Sequence, residues 1–326
     1  MAKIKLLSID GGGIRGILPS MVLAKIEEMT GKPVCQMFDL VSGTSTGSII
    51  ALGLTTPSKE DKTKPAYRAE ELIELYAEKG EKIFSTGIFH KILSLDGICD
   101  EKYKSTGIES VLKDYFGKTM LSEALAPVLV PAYEIGLRMP FFFKSRHAKN
   151  PQKENYDFPM WQVARSSSAA PTYFQPYKLQ MNTGRGPDYY TFIDGGVFAN
   201  NPSMCAFAEA KVMFGDDEDI LLLSLGTGEL SKTIPYEEAK DWGLVNWAKP
   251  MLGIVFDGVS GTVDYQLRQL LTDRRYFRIQ SSLAELGKGI DDASDENIHQ
   301  LRLLGQKTVE EWYNSGKLDK ICRQLV

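Results

Sequence analysis

One serine stands in a spacing that suits nucleophilic catalysis. Residues 43–47 read Gly-Thr-Ser-Thr-Gly, with the apolar segment 38–41 before them and the apolar segment 49–54 after them. A serine on a sharp turn between a strand and a helix projects its hydroxyl outward, and small flanking residues relieve the crowded backbone. The helix N-terminus beneath such a serine also favours negative charge at the reacting centre. The pattern predicts that Ser45 is a nucleophile for acyl transfer; an ordinary helix cap is the alternative.

A base for Ser45 has to be found elsewhere in the chain, and no histidine is an obvious choice. The three histidines, none of which adjoins a glycine turn at a predicted strand end, are His90, His147 and His299. Asp194 does stand at such a place, after the apolar segment 189–193 and before Gly195 and Gly196. A partly desolvated carboxylate can accept a proton directly from a serine hydroxyl. Asp194 is therefore the candidate base; taken alone, it would be interpreted as the cap of a turn or of the next helix.

A glycine-rich segment follows the first predicted strand. Residues 10–16 read Asp-Gly-Gly-Gly-Ile-Arg-Gly. Backbone N–H groups in such turns hold either the pyrophosphate of a dinucleotide or the oxyanion that develops in acyl transfer. The glycine spacing fits the dinucleotide formula literally, but residues 30–36, where the ribose-binding carboxylate would fall, contain no acidic residue. An oxyanion-binding loop and a tight structural turn both remain, and Arg15 adds a cation that suits an anion.

The apolar periodicity predicts strands that alternate with helices. The predicted strands cover residues 3–9, 38–41, 128–133, 139–143, 189–193, 220–224 and 275–279. The predicted helices cover residues 17–29, 49–54, 69–76, 161–170 and 298–312. Such alternation is typical of a mostly parallel sheet with helices on both faces. We therefore expect an α/β fold with three layers, α/β/α.

The chain is expected to form a single domain over residues 1–326, because no internal repeat or flexible linker divides it. Its core is predicted at residues 3–228. The Lys- and Glu-rich region of about 55–126 resembles a helical cap inserted over the sheet, and about 236–326 is a C-terminal helical extension. Within that extension, the aromatic and aliphatic stretch 242–255 is interpreted as a core or oligomer-contact helix, with a lipid-facing helix as the alternative.

Composition narrows the class of protein. The chain has 326 residues, of which 43% are hydrophobic and 25% charged, which are values of a globular protein with a substantial core. A net charge of −4 does not favour a nucleic-acid polymer as partner. No metal-ligand spacing or calcium loop is present, so neither a metal nor a cofactor is predicted.

The cysteines and the apolar runs bear on location. Four cysteines lie far apart without a Cys-x-x-Cys spacing, which favours free, buried thiols in a reducing compartment: Cys35, Cys99, Cys205 and Cys322. The N-terminus lacks the residue order of a signal peptide, and no apolar run is long enough to span a membrane. We expect a cytoplasmic protein that meets a membrane only peripherally.

Three ordered motifs make the chain resemble the patatin-like phospholipase family. They are the glycine loop at 10–16, the Gly-x-Ser-x-Gly turn at 43–47 and the Asp-Gly-Gly at 194–196. Residues 164–174 and 194–201 also look like the family, and the resemblance extends from residue 3 to about residue 228. The motif glycines besides those of the oxyanion hole are Gly11, Gly16, Gly43, Gly47, Gly195 and Gly196.

The resemblance implies a serine lipid acyl hydrolase of the phospholipase A type. Ser45 matches the family nucleophile, and Asp194 matches the aspartate of its Ser-Asp dyad. Gly12 and Gly13 match the residues whose N–H groups form the oxyanion hole, and Arg15 matches the basic residue beside them. The implied substrate is a phospholipid or another acyl lipid, reached by transient contact with a membrane surface.

Two other functions stay open at this point. Some bacterial members of the family are antiphage-defence effectors that a cyclic nucleotide activates, and this chain resembles them in size and in lacking a secretion signal. No nucleotide-binding motif is recognised in it. A non-catalytic storage or binding protein on the same fold is disfavoured, because Ser45, Asp194 and the glycine loop are all intact. A homo-oligomer is a further candidate state.

Overall fold

The computed structural model describes residues 4–83, 105–153, 156–181, 187–216, 219–229, 233–283 and 290–326. Within these residues, an eight-stranded mixed sheet forms the middle layer. Its strands are β1 (Ile4–Ile9), β2 (Leu40–Gly43), β3 (Val128–Glu134), β4 (Met139–Lys144), β5 (Tyr177–Gln180), β6 (Tyr189–Asp194), β7 (Ile220–Leu225) and β8 (Tyr276–Ile279).

The sheet is parallel at its centre and antiparallel at one end. Its strand order is β5-β6-β3-β2-β1-β7-β8, and β4 pairs with β3. The pairs β1–β2, β1–β7, β2–β3 and β7–β8 are parallel. The pairs β3–β4, β3–β6 and β5–β6 are antiparallel. The central strands β1, β2 and β7 are almost wholly buried, as expected for parallel strands covered on both faces.

Helices cover both faces of the sheet. They are α1 (Ile17–Thr30), α2 (Val34–Met37), α3 (Thr46–Thr55), α4 (Ala69–Ile83), α5 (Ser105–Phe116), α6 (Ser145–Ala148), α7 (Met160–Ser167), α8 (Gly196–Ala199), α9 (Ser203–Phe214), α10 (Tyr236–Ala239), α11 (Leu244–Leu270), α12 (Asp295–Asn314) and α13 (Lys317–Leu325).

The alternation of side chains along β1 divides the core into two parts. Leu7 and Ile9 face the larger part, to which α1, α3, α4, α7 and α12 contribute. Ile4 and Leu6 face the smaller part, which α9 and α11 close with Ala206 and Leu267 among others. Successive residues of a strand point to opposite faces, so a strand covered on both sides is apolar at most positions, and Lys5 and Ser8 are the exceptions in β1. The predicted three-layer α/β/α fold is confirmed.

The predicted strands match the observed ones to within two residues, but β5 was not predicted. The predicted helices match to within three residues, except that α4 continues to Ile83 instead of ending near residue 76. Two further differences are informative. The helix expected over 161–170 ends at Ser167, because the carbonyls of Ser167 and Ala169 accept hydrogen bonds from Gly195 and Asp194 at the end of β6. Most of the stretch 242–255 forms the first part of the long helix α11, but Met251 and Ile254 are exposed there, so they are not core residues of this chain.

Within the predicted cap, α4 packs on α1 and contributes Leu72, Leu75 and Tyr76 to the larger core. His90 and Cys99, both in this region of the sequence, lie outside the described residues.

Cys35, Cys205 and Cys322 form no disulfide; Cys322 is buried and the other two are partly exposed. Among the described helices, none combines the length and the apolar character needed to cross a bilayer.

Candidate active site

The turn between β2 and α3 holds Ser45 in a strained conformation. Ser45 has φ of 54° and ψ of −121°, a backbone region that side chains other than glycine seldom adopt. The turn is so tight that a Cβ on Gly43 would lie 2.0 Å from the carbonyl oxygen of Gly47, and a Cβ on Gly47 would lie 2.2 Å from that of Ile9. Glycine at both places is therefore a steric requirement of the Gly-x-Ser-x-Gly turn. The outcome is a partly exposed serine at the N-terminus of α3.

The glycine loop after β1 lies beside this serine. Gly13 has a φ of +61°, which glycine adopts without strain, and a Cβ there would collide with the backbone of Ile290. The N–H of Gly11 donates to the carbonyl of Asn200, and the N–H of Ile14 donates to the carbonyl of Ile290. Gly12 and Gly13 lie between these two residues, and in the part of the chain that the structure describes their N–H groups donate to no protein atom.

Asp194 reaches the site from the opposite direction to the one the sequence suggested. In the mostly parallel sheet that the sequence predicts, the strand before Asp194 would end in a row with the other strand ends. β6 instead runs antiparallel to β3, so for this strand the parallel order is wrong. Leu129 of β3 pairs with β4 on one edge and with Ser42 of β2 on the other, and Ala132 pairs with β4 and with Asp194. Since each residue has one neighbour on either edge, β2 and β6 share the edge of β3 that faces away from β4. Their carboxyl ends point toward each other along this edge.

Ser167 fills the gap between the two strand ends. The peptide N–H of Ser45 donates to Ser167 Oγ at 2.9 Å, and Ser167 Oγ donates to the carbonyl of Pro131 at 2.7 Å. The N–H of Gly195 donates to the Ser167 carbonyl at 3.3 Å, and the N–H of Asp194 to the carbonyl of Ala169. Val130 and Pro131 are the residues of β3 in this gap, and Pro131, as a proline, offers only an acceptor. Ser167 therefore ties the serine turn, β3 and the end of β6 together.

The carboxylate of Asp194 is buried and only partly satisfied. Its Oδ1 accepts a hydrogen bond from the N–H of Gly196 at 2.7 Å. Its Oδ2 is buried and has no hydrogen-bond partner among the described residues, and the same is true of the nearby Ser168 hydroxyl. Burial raises the pKa of Asp194 to about 7, although the Ser45 side chain and the Gly196 N–H both lower it. A carboxyl group that titrates near neutrality beside a serine hydroxyl is suited to general-base catalysis.

Ser45, Asp194, Gly12 and Gly13 line one cleft. Its remaining walls are mainly apolar and come from α3, α4, α5, α11 and neighbouring loops: Ile49, Ile83, Ile108, Ala170, Phe174, Phe256 and Ile290 are among them. The enclosed space is about 40 Å³, room for about one water molecule, so an acyl chain that enters has to displace lining side chains.

Arg15 lies elsewhere than the sequence suggested. Its guanidinium donates to the carbonyls of Gly12 at 3.3 Å and Gly228 at 3.4 Å, and it lines a separate cavity behind the glycine loop. Arg15 thus holds the loop from behind and does not line the cleft that contains Ser45. Burial lowers the pKa of its guanidinium to about 10, which leaves it charged at neutral pH.

The two described histidines are not near the reacting groups. His147 is in α6, where it contacts Lys153 and Tyr156, and His299 is exposed on α12. Neither lines the cleft that contains Ser45. Among the described residues, no three His, Cys, Asp or Glu side chains gather as a metal site would require.

Two residues with roles in this geometry were not singled out by sequence reasoning. Ser167 is the middle serine of the stretch 164–174, and Thr227 lies in the glycine turn after β7. Both stretches are visible as patterns, but no spacing rule links either one to Ser45. Thr227 Oγ1 donates to the carbonyl of Gly11 at 2.6 Å.

The chain is similar in sequence to one protein family and to several of its members. A sequence model described as patatin-like phospholipase matches residues 7–206. The chain is 31% identical to "Probable inactive patatin-3-Kuras 1" of Solanum tuberosum over 94% of this chain and 87% of that protein. It is 31% identical to Patatin-like protein 2 of Arabidopsis thaliana over 98% of this chain and 86% of that protein. It is 30% identical to Patatin-T5 of Solanum tuberosum over 94% of this chain and 84% of that protein. Since the first of these names describes an inactive protein, likeness alone does not carry an activity to this chain.

Proposed function

This chain belongs to the patatin-like phospholipase family, and from that premise we propose that it is an active lipid acyl hydrolase with Ser45 as nucleophile and Asp194 as base. The observation that carries the proposal is the cleft that the two residues share, in which Asp194 titrates near neutrality and keeps one unpartnered oxygen. A structural aspartate that only caps a turn has no need of a serine in a strained turn beside it.

The proposed reaction has two halves. Asp194 accepts the proton of the Ser45 hydroxyl as its oxygen bonds to the acyl carbonyl carbon, and the oxyanion accepts hydrogen bonds from the N–H groups of Gly12 and Gly13. The tetrahedral intermediate collapses, the alcohol leaves with the proton from Asp194, and the acyl group stays on Ser45. Water then attacks the acyl-enzyme while Asp194 takes its proton, and Ser45 is released with that proton as the fatty acid departs.

The walls of the cleft support an acyl lipid as substrate. Apolar side chains line most of it; they pack well against an alkyl chain and offer no hydrogen bonds to a sugar or a peptide backbone. We extend the proposal to phospholipids presented by a membrane surface. Phe256 of the cleft belongs to α11, whose Met251 and Ile254 are exposed and suited to contact a lipid interface.

The test is hydrolysis of a defined phospholipid mixture by the purified chain, with products measured by mass spectrometry. Ser45→Ala and Asp194→Ala should each reduce turnover by roughly 10⁴-fold or more, as loss of a catalytic nucleophile or base does elsewhere. Two control variants should keep wild-type turnover: Ser58→Ala, which removes a partly exposed serine hydroxyl, and His147→Ala, which removes a described histidine. Release of fatty acid by folded Ser45→Ala at the wild-type rate would refute the proposal.

A signal-gated version of the same hydrolase, acting in antiphage defence, makes a different prediction. It would release fatty acid only after a cyclic nucleotide is added, whereas a constitutive hydrolase needs no activator. Parallel assays with and without cyclic dinucleotides, each followed by light scattering to measure oligomeric state, distinguish the two. Release of fatty acid at the same measurable rate in both assays would rule out this gating.

A further inference from the structure

Two consecutive peptide groups of the glycine loop accept hydrogen bonds on the side of the loop that faces away from Ser45. Thr227 Oγ1 donates to the carbonyl of Gly11 at 2.6 Å, and Arg15 Nε donates to the carbonyl of Gly12 at 3.3 Å. Thr227 is only 3% exposed and comes from the turn after β7, more than 200 residues along the chain from the loop it contacts. It also lies beyond residues 7–206, which the family model matches.

The orientation of a carbonyl determines that of the next N–H. In a trans peptide, the C=O of one residue and the N–H of the next point in opposite directions. A Gly11 carbonyl directed at Thr227 therefore aims the Gly12 N–H away from Thr227, and a Gly12 carbonyl directed at Arg15 does the same for the Gly13 N–H. No peptide bond in the described chain is cis.

The two sides of the loop face different cavities. Gly12 and Gly13 line the cleft with Ser45, whereas Arg15 and Thr227 line the separate cavity behind the loop. Among the described residues, the N–H groups of Gly12 and Gly13 meet no protein acceptor. They belong to the same two peptide groups whose carbonyls, those of Gly11 and Gly12, accept hydrogen bonds from Thr227 and Arg15. A flexible glycine loop would otherwise reorient these peptides at little cost, because glycine populates both signs of φ.

We infer that Thr227 is a positioning residue for the oxyanion hole: its hydroxyl fixes the Gly11–Gly12 peptide so that the Gly12 N–H faces the oxyanion. This inference rests on the proposed acyl-transfer function. The contact leaves little freedom, because a Cβ at Gly12 would lie 2.1 Å from Thr227 Oγ1. Thr227 does not touch the substrate; it acts through the peptide group.

The test compares three variants with the wild type. Thr227→Val keeps the shape of the side chain and removes the donor, so kcat should fall about tenfold or more, within the cost of about 10²- to 10³-fold for losing an oxyanion donor outright. KM should stay within about twofold, because the interaction is made only in the transition state. Thr227→Ser restores the donor and should restore kcat. Thr55→Val removes another buried threonine hydroxyl, one that bonds within α3, and should leave kcat unchanged.

Binding of a tetrahedral mimic separates positioning from a merely structural effect. A trifluoromethyl ketone with a fatty acyl chain forms an oxyanion on Ser45, so its affinity should fall in Thr227→Val by the same factor as kcat. Titration with a fluorophosphonate corrects every rate for the fraction of competent enzyme, and Thr227→Ala replaces Thr227→Val if the latter does not fold.

Unchanged kcat in the folded donor-free variant, Thr227→Val or its replacement Thr227→Ala, would overturn the inference, and so would an equal loss in Thr227→Ser. A wild-type chain that releases no more fatty acid than Ser45→Ala would instead overturn the proposed function.

Discussion

At the residue scale, the protonation of Asp194 controls the proposed chemistry. Burial is the main cause of its raised pKa, because burial destabilises the charged carboxylate. The Ser45 side chain and the Gly196 N–H stabilise the carboxylate, but by less. The group is therefore divided between acid and base forms near pH 7. That balance suits a residue that has to accept a proton and return it within one catalytic cycle.

The activity should depend on pH accordingly. Only the deprotonated form of Asp194 can accept the Ser45 proton, so kcat/KM should rise tenfold per pH unit below about 7 and level off above it. The measurement is kcat/KM on a soluble short-chain ester between pH 5 and pH 9, with enzyme integrity checked at each pH. A plateau that extends down to pH 5 would show that Asp194 is not the base.

The same pKa predicts a cost in stability. Between its ordinary value of 3.8 and about 7, the folded chain binds a proton at Asp194 that the unfolded chain does not, so stability falls as pH rises through this window. The full cost above pH 7 is roughly 4 kcal/mol at about 1.4 kcal/mol per pKa unit. Asp194→Asn carries no charge at this position. Its free energy of unfolding, relative to that of the wild type, should therefore be higher at pH 8 than at pH 4.5. Urea unfolding at both pH values measures this, and an equal difference at the two would contradict it.

At the element scale, one edge of β3 brings the two catalytic candidates together. β2 occupies the first part of this edge and β6 the last part, from opposite directions. Ser45 and Asp194 therefore meet although they are far apart in sequence. The gap between the strands at Pro131 is bridged by Ser167.

Removal of the Ser167 hydroxyl should affect both folding and catalysis. Ser167→Ala leaves the Pro131 carbonyl and the Ser45 N–H without their partner, which should lower the free energy of unfolding by about 1–3 kcal/mol. The loosened turn should also lower kcat about tenfold. Ser166→Ala is the matched control, because that neighbouring buried hydroxyl donates only to the Gln162 carbonyl within α7. Denaturant unfolding and ester hydrolysis of both variants give the answer; similar losses in the two would deny Ser167 a special role.

At the scale of the whole molecule, the C-terminal part of the chain supports the glycine loop. Arg278 of β8 donates to both carboxylate oxygens of Asp10, at 2.9 and 2.6 Å, and to Ser224 Oγ of β7. Both charged groups are almost fully buried. Burial alone would lower the pKa of Arg278, but the adjacent Asp10 carboxylate outweighs burial and raises it. The first residue of the glycine loop is thus anchored by a strand near the far end of the chain.

Breaking this buried pair should be costly. Arg278→Met leaves the Asp10 carboxylate buried without its partner and should lower the free energy of unfolding by about 3–5 kcal/mol. Adding Asp10→Asn should recover part of that loss, since it removes the unpaired charge. Arg275→Met is the control: Arg275 pairs with Asp219 near the surface, where such a pair contributes at most about 1 kcal/mol. Equal destabilisation by the two single variants, measured by urea unfolding, would contradict this account.

The sequence by itself determined the parts that depend on local order. The spacing of the glycines around Ser45 predicted the tight turn because the crowding arises within five consecutive residues. The alternation of apolar segments predicted the layered fold, since the strand and helix periods are local properties. Three ordered motifs were enough to suggest the family, to which the comparisons confirm that the chain belongs.

Only the tertiary structure decided how these parts meet. The antiparallel approach of β6, the bridging hydroxyl of Ser167 and the hold of Thr227 on Gly11 join positions that no spacing rule connects. The pKa of Asp194 is likewise a property of its surroundings, because it depends on how completely the folded chain excludes water. Local sequence sets which groups are present, whereas the direction of an N–H or the burial of a carboxylate depends on contacts that exist only in the folded chain.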